Sequence, residues 1–271
     1  MRTLIPLARA LGTLLRAAAA LAPVPASAQT APASLESDGW QFTAFLYGYF
    51  PQLKGTVDVG GSSTDIDVPF HTLLDHLKMG FMGAFEVSKG RWGMYTGVLY
   101  MDVSGGSSQV RNFSVNNVAV PVSTDLNLDL KAVVWTLAGQ YRVVADPTWT
   151  VDLLAGARML YLKSSIDYTI VDPLRFAQGN RETSGTTWDG IVGTKGRYAF
   201  GENHEWFVPF YLDVGTGQSQ LTWQASAGIG YSFRWGDVVA AWRYLDWNGR
   251  SGKRVEDLSL NGPMLGVELH W

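Results

Sequence analysis

The chain has 271 residues, of which 46% are hydrophobic, 13% aromatic and 17% charged, with a net charge of −3 and no cysteine. Near-neutral charge without a long basic block argues against a nucleic-acid partner, and the lack of cysteine excludes disulfide and thiolate chemistry. Beyond the first thirty residues no run of about eighteen apolar residues exists to make a membrane helix, so the apolar content is interleaved.

The opening stretch has Arg2 and Arg9, an apolar run from Leu11 to Ala22, and Ala26, Ser27 and Ala28 before Gln29. This reads as a secretory signal peptide over residues 1–28, cleaved after Ala28. The run is too short to stay as a transmembrane anchor, although Arg16 interrupts it. A short leader, residues 29–39, precedes a single domain at 40–271.

Within that domain, small or polar residues alternate with Val, Leu, Phe, Trp or Tyr. In chain order the alternation predicts strands at Trp40–Phe50, Met79–Ser88, Trp92–Val103, Asp125–Val143, Trp149–Lys163, Thr187–Phe200, Trp206–Gly217, Leu221–Trp235, Val238–Asn248 and Ser259–Trp271. In Trp188–Phe200, Asp189, Lys195 and Arg197 take one parity and Trp188, Val192, Tyr198 and Phe200 the other. Only a strand separates such residues cleanly.

Short links at Lys89–Arg91, Ala145–Thr148, Gly201–Glu205 and Gly236–Asp237 alternate with long ones at Pro51–Lys78, Ser104–Thr124, Ser164–Thr186 and Gly249–Leu258. The link around Gln218–Gln220 is short where a long one is expected. Short periplasmic turns and long external loops are the rule for membrane barrels. The fold class is therefore all-β, a transmembrane up-and-down antiparallel barrel of about ten strands, with eight or twelve as alternatives. Trp40, Trp92, Trp149 and Trp206 begin strands and Trp235 and Trp271 end strands running the other way, so all six fall at one interface. Twelve residues separate Trp188 from Phe200, a rise of about 30 Å at about 3.3 Å per residue and a tilt near 40°. Aromatic girdles at both bilayer edges follow.

Carried along the chain, the inward parity holds Glu86, Asp152, Arg158, Asp189, Lys195, Arg197, Asp213, Arg243 and Glu268. In so narrow a barrel these charges are expected to pair and close the lumen. No catalytic residue, metal site or cofactor is assigned. His71, Asp75 and His76 in Val68–Lys78 offer a weak metal or base reading, on an amphipathic helical turn suggested by Phe70, Leu73, Leu74 and Leu77. Asp58, Asp65 and Asp67 lack the spacing of a calcium loop, which favours a polar hairpin over Gly55–Val68. His204 and His270 are read as structural. Asp125, Asn127, Asp129 and Lys131 share a parity that turns apolar by Trp135 and Tyr141, predicting a β-bulge near Ala132.

At the terminus, Leu265, Val267, Leu269 and Trp271 share the outward parity. This resembles the signal by which outer-membrane proteins are handed to the barrel assembly machinery, with Trp in place of the usual Phe. Blocks at Lys78–Ser104, Trp188–Phe200, Leu212–Trp235 and Trp242–Trp247 resemble a poorly characterised proteobacterial family of porin-like outer-membrane β-barrels. The resemblance implies the fold and a Gram-negative outer-membrane location, with no catalytic residue to transfer. In that family an Asp often stands at the place of Gly97.

The expectation is a non-enzymatic barrel, structural or passing small solutes poorly, with outer-membrane lipid and the assembly machinery as partners. Its rivals are a surface lipid hydrolase or protease, and an adhesion module, either using the external loops.

Overall fold

The computed structural model describes residues 39–58, 63–68, 77–105, 125–172, 175–249 and 255–271. The expected signal peptide lies outside the described residues, as do His71, Asp75 and His76. The described chain is all strand: β1 (Trp40–Tyr49), β2 (Gln52–Asp58), β3 (Ser63–Val68), β4 (Leu77–Lys89), β5 (Trp92–Gly105), β6 (Asp125–Ala145), β7 (Trp149–Asp172), β8 (Arg175–Phe200), β9 (Trp206–Gly217), β10 (Leu221–Phe233), β11 (Gly236–Asn248) and β12 (Val255–His270).

Ten of these, β1 and β4 to β12, pair antiparallel in chain order and close where β1 meets β12, from Thr43↔His270 to Tyr49↔Met264. β2 continues β1 along the same partner strand after a break at Phe50 and Pro51, and β3 folds back on β2 over the stretch expected as a polar hairpin. Proline cannot donate to a ladder, and Phe50 keeps the strands together across the break by donating its N–H to Pro263 O at 3.0 Å.

The short turns lie at one end, together with Trp40 and Trp271. Gly90 turns β4 into β5 with φ 57°, a conformation that glycine adopts without steric cost. Asp146 Oδ1 accepts the N–H groups of Thr148 and Trp149 at 2.9 and 2.7 Å to close the β6–β7 turn. At this end Trp40, Trp92, Trp149, Trp206, Trp235 and Trp271 are all exposed. Trp92 packs on Tyr141, Trp149 on Tyr198 and Trp206 on Tyr231, with ring centroids 4.7–4.9 Å apart. Higher on the outer face, Trp135 meets Trp188 at 5.9 Å and Trp223 meets Tyr244 at 4.7 Å. Between these two belts the outward residues are apolar, Leu46, Leu153, Val192, Leu212, Ile229 and Leu265 among them.

Two expectations are corrected. The segment 164–186, read as a loop, instead extends β7 to Asp172 and brings β8 up from Arg175, paired from Ser164↔Thr183 to Asp172↔Arg175. β7 has 24 residues, enough to rise about 60 Å at that tilt, roughly twice the hydrocarbon thickness. The hairpin therefore stands clear of the apolar belt. The bulge expected near Ala132 is absent: β6 pairs without a break from Leu130↔Ser164 through Ala132↔Leu162 to Arg142↔Asp152, and the register shifts only at Val143.

The reason lies outside the barrel. Leu130, Ala132 and Val134 point inward and are buried, as are Thr136, Ala138 and Gln140 farther down the same face of β6. The inward parity never changes; the outer medium does. Above the upper aromatic belt the outward residues are Lys131, Lys163, Glu182 and Thr186, and the lumen beside them holds an apolar cluster of Tyr49, Leu99, Val134, Leu160, Leu245 and Leu260. Lys163 and Glu182 pair at 2.9 Å, and the hydrogen bond that Lys163 donates to the Glu182 carboxylate holds the Lys163 ammonium above the ordinary lysine range.

Leu245 is 0% exposed inside this cap and Leu212 is 52% exposed on the outer belt. Leu245→Ala should lower stability by about 2–5 kcal/mol, read by urea unfolding in micelles, and Leu212→Ala by clearly less. Equal losses would contradict an apolar upper lumen.

Candidate functional site

The lumen below the apolar cap is charged because strand parity turns those residues away from the apolar belt, where an ion could be neither hydrated nor paired. The structure places Glu86, Asp152, Arg158, Asp189, Asp213 and Arg243 buried on the inner face, with Lys195, Arg197 and Glu268 half-buried there.

Immediately under the cap, Arg158 of β7 reaches Asp213 of β9 in a bidentate pair, Nη1 donating to Oδ1 at 2.9 Å and Nη2 to Oδ2. Both side chains are fully buried. Arg158 also donates to Gln224 Oε1 at 3.2 Å and lies 6.0 Å from the Trp247 ring. Gln224 Oε1 accepts from a second guanidinium, Arg243 Nη2, at 2.8 Å. Arg243 stacks over Tyr49 at 5.5 Å and has no carboxylate partner among the described residues. A planar guanidinium suits this layer, since it is weakly hydrated and packs against aromatic rings.

The middle layer joins Lys195 of β8 to Glu86 of β4 across the lumen. Gln140 Nε2 donates to the other Glu86 oxygen at 2.6 Å. Arg142 holds Asp152 by two hydrogen bonds of 2.8 and 3.1 Å. Lys195 Nζ sits 5.2 Å from the Tyr95 ring. At Gly97 a Cβ would come within 2.8 Å of the Tyr95 hydroxyl, so Tyr95 fills the space that an inward Asp would need.

Nearest the short-turn end, Arg197 pairs with Asp237 at 3.1 Å, His270 Nε2 lies 3.1 Å from the same Asp237 oxygen, and Tyr47 donates to Glu268 at 2.5 Å. Asp189 joins none of these layers: its Oδ1 accepts the N–H of Ser219 at 2.8 Å and fastens the β9–β10 turn. Arg158 faces it across the β7–β8 ladder but is already taken by Asp213.

Side chains of these layers outside the inward set read from the sequence include Arg142, Gln140, Gln224, Tyr47 and Asp237. Arg142 and Gln140 share the inward parity of β6, which can be read backwards from Trp135 and Tyr141. Asp237 falls in the short link expected before Val238, whereas β11 begins at Gly236 and carries Asp237 on its inward face. Among the described residues, Asp237, Glu268 and His270 are the grouping whose donor atoms converge as metal ligands would.

Arg158→Met leaves the buried Asp213 carboxylate without its partner and should cost about 3–5 kcal/mol in urea unfolding. Adding Asp213→Leu should recover most of that loss, because no uncompensated charge remains. Additive losses would contradict the pairing.

No protein-family model and no curated protein match the sequence. Among solved structures, the chain is similar to the outer membrane protease OmpT from Escherichia coli, with TM-score 0.53 and 9% identity over 88% of this chain and 100% of that one. The translocator domain of the autotransporter NalP from Neisseria meningitidis aligns at TM-score 0.40 and 13% identity, over 97% of this chain and 95% of that one. Ail, the attachment invasion locus protein of Yersinia pestis, aligns at 0.36 and 12%, over 86% and 99%. At such identities the OmpT likeness extends to architecture alone, and the chain has the fold of an outer-membrane β-barrel.

Proposed function

We propose that this protein is a sealed, non-enzymatic barrel of the Gram-negative outer membrane, structural in role and passing small solutes poorly if at all. The observation that carries this reading is the stacking of two different seals in one lumen. An inward ion-pair lattice, Arg158–Asp213 and Lys195–Glu86 between non-adjacent strands and Arg142–Asp152 between neighbouring ones, lies beneath a cap of Leu99, Val134, Leu160, Leu245 and Leu260. Ions crossing such a bore would have to break buried pairs and then enter an apolar layer with no hydration.

The apolar belt between the aromatic rings makes lipid the partner of the outer wall. Orientation follows from the connections: short turns, the start of β1 and the end of β12 toward the periplasm, the β7–β8 hairpin toward the exterior. Leu265, Leu269 and Trp271 project outward from the last strand, the feature by which the barrel assembly machinery would receive the chain after export and signal-peptide cleavage.

Two measurements test this. In a planar bilayer the purified protein should stay silent, and discrete open steps would overturn the sealed lumen. Peptide and outer-membrane lipid substrates should remain intact with the protein and with its His71→Ala, His76→Ala variant alike. Turnover lost in that variant would establish a surface enzyme instead.

A further inference from the structure

Asp237 and Glu268 stand directly opposite each other in the β11–β12 ladder. His270 follows Glu268 by two residues on the same strand, so all three side chains share the inward face at the mouth where the short turns lie. One oxygen from each carboxylate and one imidazole nitrogen lie within 4.8 Å of one another. Donors around a tetrahedral zinc ion, at bond lengths of about 2.0–2.2 Å, are about 3.4 Å apart. Small side-chain rotations close that difference.

Charge points the same way. Carboxylates placed directly opposite across an antiparallel pair repel each other, and Arg197 supplies one positive charge against the two. With both carboxylates ionised and the imidazole neutral, the cluster keeps one surplus negative charge, which a bound cation would neutralise. The outer contacts also orient the donors: Tyr47 holds Glu268 by one oxygen at 2.5 Å, and Thr43 Oγ1 lies 3.2 Å from His270 Nδ1. When Nδ1–H donates to Thr43, the lone pair of Nε2 faces Asp237 Oδ2 at 3.1 Å, an arrangement that a cation between them makes favourable. Hydrogen bonding of one imidazole nitrogen to fix the other for a metal is the common outer-shell device. The side chain of His270 is 45% exposed while that of Asp237 is 5% exposed, so an ion can enter from the mouth.

We propose that Asp237, Glu268 and His270 bind one divalent transition-metal ion of the zinc type. One imidazole with two carboxylates suits such ions, whereas magnesium and calcium favour all-oxygen shells. The ion would tie β11 to β12 beside the β1–β12 seam, where Thr43 and His270 are register partners. Arg197 occupies part of the same carboxylate and competes with the metal.

The test is calorimetric titration of the refolded full chain in micelles, without a histidine tag, with zinc chloride and with magnesium chloride. One zinc ion per chain should bind, with magnesium weaker by about tenfold or more. His270→Ala and Glu268→Gln should each weaken zinc by about tenfold or more, Arg197→Gln should tighten it severalfold, and His204→Ala should leave it unchanged. Binding that survives both His270→Ala and Glu268→Gln, or that is unaltered or weakened by Arg197→Gln, overturns the proposal. Should a variant fail to refold, cobalt added to the wild-type protein decides: the visible absorption of a low-coordinate site supports the proposal, and its absence overturns it.

Discussion

Closure governs everything else in this molecule. A backbone N–H or C=O left unpaired in hydrocarbon costs several kcal/mol, so the wall cannot end in an open edge at the level of the aromatic belts. Pairing of β1 with β12 removes the edges there, and the N–H of Phe50 bonded to Pro263 O keeps the seam intact where Pro51 has none to give. Once the wall is closed, strand parity has only two destinations, lipid or lumen. A chain without cysteine is held in this way by its ladder and its packing alone.

The tall wall then spans two solvents with one unbroken parity. Where the outside is apolar, the inside carries Glu86, Asp152, Arg158, Lys195 and Asp213; where the outside carries Lys131, Lys163 and Glu182, the inside carries Val134, Leu160, Leu162 and Leu245. The lower part is a membrane protein with a polar interior and the upper part has the apolar interior of a soluble protein. Charges in the lower lumen are cut off from bulk water above by the cap and from the side by the wall, so each is stable only in the arms of an opposite charge or a good acceptor. Arg243, which sits at the boundary between the layers, illustrates the limit. Its guanidinium donates to Gln224 and lies over the Tyr49 face in place of a carboxylate, and its Nε is buried without a partner.

Much of this was legible in the amino-acid order. Period-two alternation in Trp188–Phe200 fixes both faces of β8, and the tryptophans at strand starts and ends mark one rim. The polar outward series Asp129–Lys131 followed by Trp135 swaps residue character without swapping face. Hydropathy reports the solvent that a side chain meets, and a strand emerging from lipid into water reverses its pattern without any bulge. The upper halves of β7 and β8 are concealed in the same way, because their Ser, Thr, Gly and charged residues look like a loop. Partner choice within the lumen was not legible, because it depends on which inward residues come level across the bore; Arg158 faces Asp189 along the ladder but bonds Asp213.

Because the protein contains no native cysteine, single cysteines can be placed one by one along β8 from Glu182 to Phe200 and spin-labelled in lipid vesicles. Even-numbered labels should pass from contact with a water-soluble relaxation reagent at 182–186 to contact with dissolved oxygen in lipid at 190–200, while odd-numbered labels remain shielded from both. Loss of the two-residue period, or water contact at every even position down to Phe200, would contradict a single wall that crosses from lipid into water.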